Sequence, residues 1–211
     1  MARRRAIHIG RADRFIADTH FGHGLMTAVR KDDAGNPLPP FRPFDDIDAH
    51  DDRLIQSWNR MVGRTDTVYH LGDFAGPRTP EDRQREIFDR LKGCKILLPG
   101  NHDDETTRSL PWDNIIEGPQ HFRDGMGQVV IAMHWPIYEW DGFHSGALHI
   151  HGHTHGNRPS SRRRFDVGVD NGGSYPQTWS EIKARMDNLP ELDIDGVLLE
   201  PWKPDRGYVG P

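Results

Sequence analysis

The sequence has one cysteine, no apolar run long enough to cross a bilayer and no surplus of basic residues. With Cys94 alone, no intrachain disulfide can form, which fits a reducing compartment. Its thiol, next to the apolar run Ile96-Leu97-Leu98, is expected to be buried. No window approaches the roughly 20 apolar residues of a membrane span. The basic start, Arg3-Arg4-Arg5, is not followed by the stretch of about 7 to 15 apolar residues that a signal peptide carries. A cytoplasmic protein is expected, with no membrane association and no obligate protein partner. The formal net charge of −5 argues against a chain that coats a long nucleic acid, because such binding requires a broad basic surface. A small phosphate substrate is left open.

What is present is ordinary for a folded soluble chain: 35% hydrophobic, 28% charged and 9% aromatic residues in a length of 211. That length predicts one domain over 1–211, with the Pro-, Asp- and Gly-rich stretch 190–211 packed on it as a tail. Residues 32–43, with Pro37, Pro39, Pro40 and Pro43, read as a long ordered loop. Around it, short apolar runs alternate with helical patterns. Arg14 to Ala17 reads as a strand, Asp46 to Val62 as a helix, Thr67 to Leu71 as a strand and Lys95 to Leu98 as another. Between the last two, Thr79 is the expected cap of a helix with Pro80 at its first position. This βαβαβ order predicts parallel strands with right-handed crossovers. The second half is richer in strand, at 128–133, 148–151 and 165–169, and closes on a helix near 181–189 with Thr178 and Glu181 as its capping box. The fold class is α/β.

In an open α/β sheet, ligands bind beyond the carboxyl ends of the strands. Those ends carry an unusual set of residues: Asp18-Thr19-His20, Gly72-Asp73, Gly100-Asn101-His102-Asp103, His134 and Gly152-His153-Thr154-His155. If the chain stays extended there, Asp18 and His20 project to one side, and so do His153 and His155. A single Asp or His at a strand end is usually a cap or a surface residue. Five such segments, each bearing a hard or borderline metal ligand, point to a shared metal centre.

Together these segments resemble the calcineurin-like metallophosphoesterase superfamily, over residues 18–155. The strings Asp18-Thr19-His20-Phe21-Gly22-His23, Arg42-Pro43-Phe44 and Val167-Gly168-Val169-Asp170 further resemble a compact bacterial and phage branch of it. The resemblance implies a four-layer α/β/β/α sandwich of two mixed β-sheets flanked by helices, with two divalent metal ions at one edge. By family roles, Asp18, His20 and His155 bind one ion, Asn101, His134 and His153 the other, and Asp73 bridges them. His102 is the implied catalytic residue, giving a proton to the leaving oxygen or holding a phosphate oxygen. Such ions, roughly 3.5 to 4 Å apart, acidify a water and clamp phosphoryl oxygens through in-line displacement. They also give an acidic protein a local positive charge. Imidazole and carboxylate donors without thiolate suit Mn, Fe, Zn, Co or Ni, and the resemblance favours Mn.

Other residues keep two readings. His23 and Arg42 are candidates for substrate binding, Arg42 because a guanidinium grips phosphate oxygens with two donors; a surface role is the alternative. Asp103 either orients its neighbours His102 or Asn101 or caps a helix beginning at Asp104. His149 and His151, in alternation with the two ligand histidines, are expected to support the site from behind or to be purely structural. Arg162-Arg163-Arg164 is either solvated or meets a nucleotide's second phosphate or an RNA end. The compact length and acidic charge favour a phosphodiesterase on small nucleotide-type substrates, such as 2',3'- or 3',5'-cyclic nucleotides. Short RNA or DNA ends, a phosphomonoesterase or protein phosphatase, and a non-catalytic binding module are the alternatives.

Overall fold

In a computed structural model, residues 6–192 are described; the tail expected at 190–211 lies almost wholly outside them. The strands in chain order are β1 (Ile7–His8), β2 (Asp13–Ile16), β3 (Arg30–Lys31), β4 (Pro37–Leu38), β5 (Thr67–His70), β6 (Cys94–Leu97), β7 (Asn114–Ile115), β8 (Gln120–Arg123), β9 (Val129–Ala132), β10 (Leu148–His151), β11 (Arg164–Asp166) and β12 (Gln177–Thr178). The helices are α1 (Ile47–Met61), α2 (Glu81–Arg90), α3 (Glu105–Arg108), α4 (Val169–Gly172) and α5 (Trp179–Asp187). They build two five-stranded mixed sheets, ordered β12-β2-β5-β6-β7 and β1-β8-β9-β10-β11. Among the described residues, no helix is long and apolar enough to cross a membrane.

The βαβαβ order gives parallel pairs of β2 with β5 and β5 with β6. In the other sheet β9, β10 and β11 are parallel. The inner faces of both sheets meet in one apolar layer, with Phe15, Tyr69 and Leu71 against Phe122, Ile150 and Phe165, closed at one side by Trp179, Ile182 and Met186 of α5. Helices α1 and α2 cover the outer face of the first sheet through Leu54, Ile55, Trp58, Ile87 and Phe88. Over the outer face of the second, Trp140 and Ala147 pack on Ile131 from a connection whose regular structure is a single 3-10 turn, Phe143–Ser145.

Local signals set the helix ends. The Asp46 side chain accepts from Ala49 N at the start of α1, and the Thr178–Glu181 capping box opens α5. At α2 the expectation fails: Pro80 occupies the cap position, because the Thr79 hydroxyl is drawn to the Phe21 carbonyl, 3.1 Å away. The stretch 32–43 is not wholly loop, since β4 pairs with β3 across a turn in which the Asp32 carboxylate accepts from Ala34 N and Asn36 N. Cys94 is exposed, contrary to expectation. It is the first residue of its strand, at the end of the sheet away from the apolar centre. The strand expected at 165–169 stops at Asp166, and Val169 begins α4.

Candidate metal centre

The carboxyl ends of β2, β5, β6, β9 and β10 converge at one edge of the sandwich, where the two sheets touch through a bridge between Ala17 and Gly168. The side chains that follow these strands do not stay in extended chain. Asp18, His20, Asp73, His153 and His155 all have positive φ, from 48° to 70°. The expected alternation of Asp18 with His20, and of His153 with His155, is therefore replaced by a sharp left-handed turn at each residue. The turns still gather the side chains, at a cost that non-glycine residues accept mainly where the surroundings over-determine them. Neighbouring glycines make room: a Cβ on Gly100 would lie 2.4 Å from Asp73 Oδ1, and one on Gly152 would lie 2.7 Å from Asp18 Oδ2.

Two groups of ligand atoms result. Asp18, His20 and His155 form one, Asp73, His134 and His153 the other, and within each the ligand atoms all lie within 4.8 Å of one another. Asp73 stands between them: its Oδ2 is 3.6 Å from His20 Nε2 and 3.5 Å from His134 Nε2. Asn101 Oδ1 joins the second group, 3.1 Å from His134 Nε2. The histidines are oriented so that they could act as ligands. His134 Nδ1 donates to the Leu71 carbonyl (2.8 Å), and a carbonyl only accepts, so Nε2 keeps its lone pair. His155 Nδ1 is held by the Asp170 carboxylate at 2.8 Å, which likewise frees Nε2. His20 Nε2 is buried with no hydrogen-bond partner among the described residues.

This donor set fits divalent cations. Burial holds His20 well below the usual imidazole range and takes His134 down to about 4. Both are thus neutral, as ligands must be. Burial also raises Asp18 and Asp73 above the ordinary carboxylate range, the penalty that a bound cation offsets. For His155 burial acts downward but the Asp170 and Asp18 carboxylates outweigh it, and its pKa is raised. Asp170 itself is held well below the usual range: burial opposes, His155 and Arg42 prevail.

The remaining expected residues fall into place unevenly. His102 is partly exposed at the open side of Asp73, its Nε2 4.0 Å from Asp73 Oδ2 and its backbone N–H donating to Asp73 Oδ1 (2.9 Å). His23 is half-buried, with Nδ1 3.3 Å from His20 Nδ1 and its ring 6.1 Å from that of His102. Asp103 is not the helix cap; Asp104 is, accepting from Thr107 N. Among the described residues, Asp103 has no hydrogen bond between its carboxylate and the side chain of His102 or Asn101. Its carboxylate accepts from the backbone of Asp73 (2.8 Å), Phe74 (2.9 Å) and Gly100 (2.7 Å), so it clamps the two turns that present Asp73, Asn101 and His102.

Arg42, a candidate for substrate binding, is turned into the protein. It is only 4% exposed, and its donors go to Asp170, His50 and the carbonyls of Asp18 and Thr19. His149 and His151 are buried and structural: His149 Nδ1 lies 2.9 Å from the Ile131 carbonyl, and His151 Nδ1 2.7 Å from that of Gly152. The arginine run sits at the far end of the sheet, because Arg164 pairs in register with His149, at the start of a strand whose other end leads to the ligands. Arg163 stacks on Phe143, 4.1 Å from its ring centroid, and pairs with Glu191. The sequence reading missed Asp170 as the partner of His155, although Val167 to Asp170 stood out as a string. It also missed Asp166, whose buried carboxylate accepts from Thr154 Oγ1, Gly156 N and Gly168 N and so shapes the loop of His153 and His155.

Comparison with known proteins adds independent findings. A family model described as calcineurin-like phosphoesterase matches residues 14–205. The gene 66 protein of Mycobacterium phage L5 is 27% identical over 203 residues, covering 81% of this chain and 89% of the phage protein. An uncharacterised protein of Methanocaldococcus jannaschii is 28% identical over 144 residues, 67% of this chain and 68% of its own length. Among solved structures, a protein of unknown function from Aquifex aeolicus matches with a TM-score of 0.59 at 24% identity, covering 82% of this chain and 98% of that one. This last likeness is one of fold.

Proposed function

The chain belongs to the calcineurin-like phosphoesterase family, and from that premise we propose that it is a phosphodiesterase acting on small nucleotide-type substrates, 2',3'- or 3',5'-cyclic nucleotides among them. That it is a metal-dependent phosphoesterase follows from the family and the two ligand groups. The finer reading is carried by Arg42. A monoester presents a dianion, for which a free guanidinium is the natural partner; the guanidinium that lies against these ligands has its donors occupied within the protein. A diester, with one negative charge, has less need of it.

Two divalent ions, when bound, supply Lewis-acid charge to the phosphoryl oxygens and lower the pKa of a water. Mn is the favoured metal, with Fe, Zn, Co or Ni compatible with the same donors. The protein's own groups do the rest. Asp73 offers one oxygen to both ligand groups and spends the other on the His102 backbone N–H. His102, at the mouth, hands a proton to the leaving oxygen. His23, kept neutral chiefly by burial and then by the nearby His102 and Arg42, donates to the substrate from the same side. Trp135 is 39% exposed directly after the ligand His134, its ring 5.1 Å from the His134 ring, and offers a face on which a base stacks. An exposed free thiol at Cys94 is in keeping with a cytoplasmic location.

The test is a rate comparison with Mn2+: bis-p-nitrophenyl phosphate should be cleaved faster than p-nitrophenyl phosphate, and a cyclic nucleotide should compete better than short single-stranded RNA or a phosphopeptide. The reverse preference for the monoester would overturn the diesterase reading and leave the family assignment standing.

A further inference from the structure

We propose that Arg42 is a positioning residue for one of the two metal positions, the one formed by Asp18, His20 and His155, and that it sets the affinity of that position far more than that of the other. The inference rests on the reading of the site as a metal centre. Arg42 comes from the connection after β4 and is buried between the Asp18–His20 turn and α4. Its Nε and Nη2 grip the two oxygens of Asp170, each at 2.8 Å. Asp170 Oδ2 in turn holds His155 Nδ1 at 2.8 Å. The same guanidinium takes the Asp18 carbonyl through Nη2 (2.6 Å) and the Thr19 carbonyl through Nη1 (2.8 Å). One planar group thus ties together the turn that carries two ligands and the carboxylate that orients the third.

The backbone shows why a tie is needed. Asp18 and His20 both adopt left-handed φ, 57° and 48°; their amides donate to the Gly72 and Asp73 carbonyls (3.0 Å each), which leaves the Asp18 and Thr19 carbonyls to Arg42. The brace continues outward. Arg42 Nη1 donates to His50 Nε2 (2.8 Å), so His50 carries its proton on Nδ1 and donates it to Asp51 Oδ1 (2.8 Å). Asp51 also accepts from Gly22 N (2.9 Å) and from Arg83 Nη2 of α2 (2.7 Å). The turn is therefore anchored to α1 and α2 at its far end as well. Among the described residues, neither Arg42 nor Asp170 bonds to Asp73, His134 or His153. The ties made by the guanidinium itself thus end on one position, and they reach the other only through Asp18, whose carboxylate also accepts from His153 N (3.0 and 2.9 Å).

A lysine at 42 keeps the charge but is a point donor, unable to hold both oxygens of Asp170 and two carbonyls together. Partners of this kind are worth about 10- to 100-fold in metal affinity. The experiment titrates Mn2+ by calorimetry into metal-free full-length protein, comparing wild type with Arg42→Lys and Asp170→Asn, with circular dichroism to confirm folding. One of the two ions should weaken by about 10- to 100-fold in each variant, while the other stays within about twofold. The double variant should be little worse than the worse single one, because both break the same tie. Wild-type affinity for both ions in a folded variant, or equal weakening of both, would overturn the proposal. If Arg42→Lys does not fold, Asp170→Asn decides the matter alone. A wild-type chain that binds no Mn2+ is a different result, and removes the metal-centre reading together with this one.

Discussion

His70 offers a clean test of how burial shapes this protein's response to acid. It ends β5 inside a cage of Trp58, Phe74 and Trp112, with ring centroids 5.5 to 6.5 Å away. Its Nε2 lies 2.9 Å from Thr19 Oγ1, and that hydroxyl gives its one proton to the Phe74 carbonyl at 2.7 Å. Nε2 must therefore be the donor. Nδ1 is left bare among apolar rings, with no hydrogen-bond partner among the described residues. Burial, helped by the nearby His134, lowers the His70 pKa to about 3, against about 6.5 in the unfolded chain. Because the folded value is the lower one, the unfolded state takes up the proton first as pH falls. The stability is complete above pH ~6.5 and is lost progressively down to pH ~3. At pH ~5 the drop is ~1.5 pH units, or about 2 kcal/mol from this one residue. In His70→Gln the amide Nε2 can still reach Thr19 but does not titrate. Urea unfolding of both chains in EDTA, near pH 7.5 and near pH 5, isolates the effect. The raised carboxylates of Asp18, Asp73 and Asp103 act in the opposite direction, but equally in both chains, and cancel from the difference. Wild type should lose about 2 kcal/mol more than the variant between the two pH values. Parallel losses would refute the reasoning.

His102→Ala should lower kcat by about 10²- to 10⁴-fold while Mn2+ stoichiometry, measured by elemental analysis, stays at the wild-type value; an unchanged kcat at saturating substrate would remove His102 from the chemistry. Arg162→Ala with Arg163→Ala should leave KM on every nucleotide tested within about twofold, since among the described residues their side chains share no partner with the two ligand groups, and a large rise in KM would show that the far end of the sheet reaches substrate after all.

Much of the site is legible in the sequence because the ligands obey a positional rule: each follows a strand whose apolar run is plain, and parallel strands bring their carboxyl ends together. Asp18, Asp73, Asn101, His134 and the last two histidines of the alternating set gather for that reason. What escapes is whatever depends on distant partners. Arg42 reads as a phosphate-binding residue, yet Asp170, 128 positions away, takes its Nε and Nη2, and Thr19 and His50 take its Nη1. Thr79 has every local mark of a helix cap, yet the Phe21 carbonyl is the acceptor its hydroxyl finds. Strands such as β1 and β8 are too short to show a period, and exist because they find each other. The left-handed turns are equally invisible, since Asp and His carry no such preference strong enough to read.

Those turns have a consequence for how the chain can change. Left-handed backbone at five non-glycine ligands, at about 1 kcal/mol or more each, amounts to a sizeable part of the 5–15 kcal/mol that typically separates folded from unfolded protein. Glycine would sit at any of these positions more comfortably, and would bind nothing. Selection for robustness alone therefore pulls against the centre, and a descendant that lost its metals would be free to become the sturdier protein.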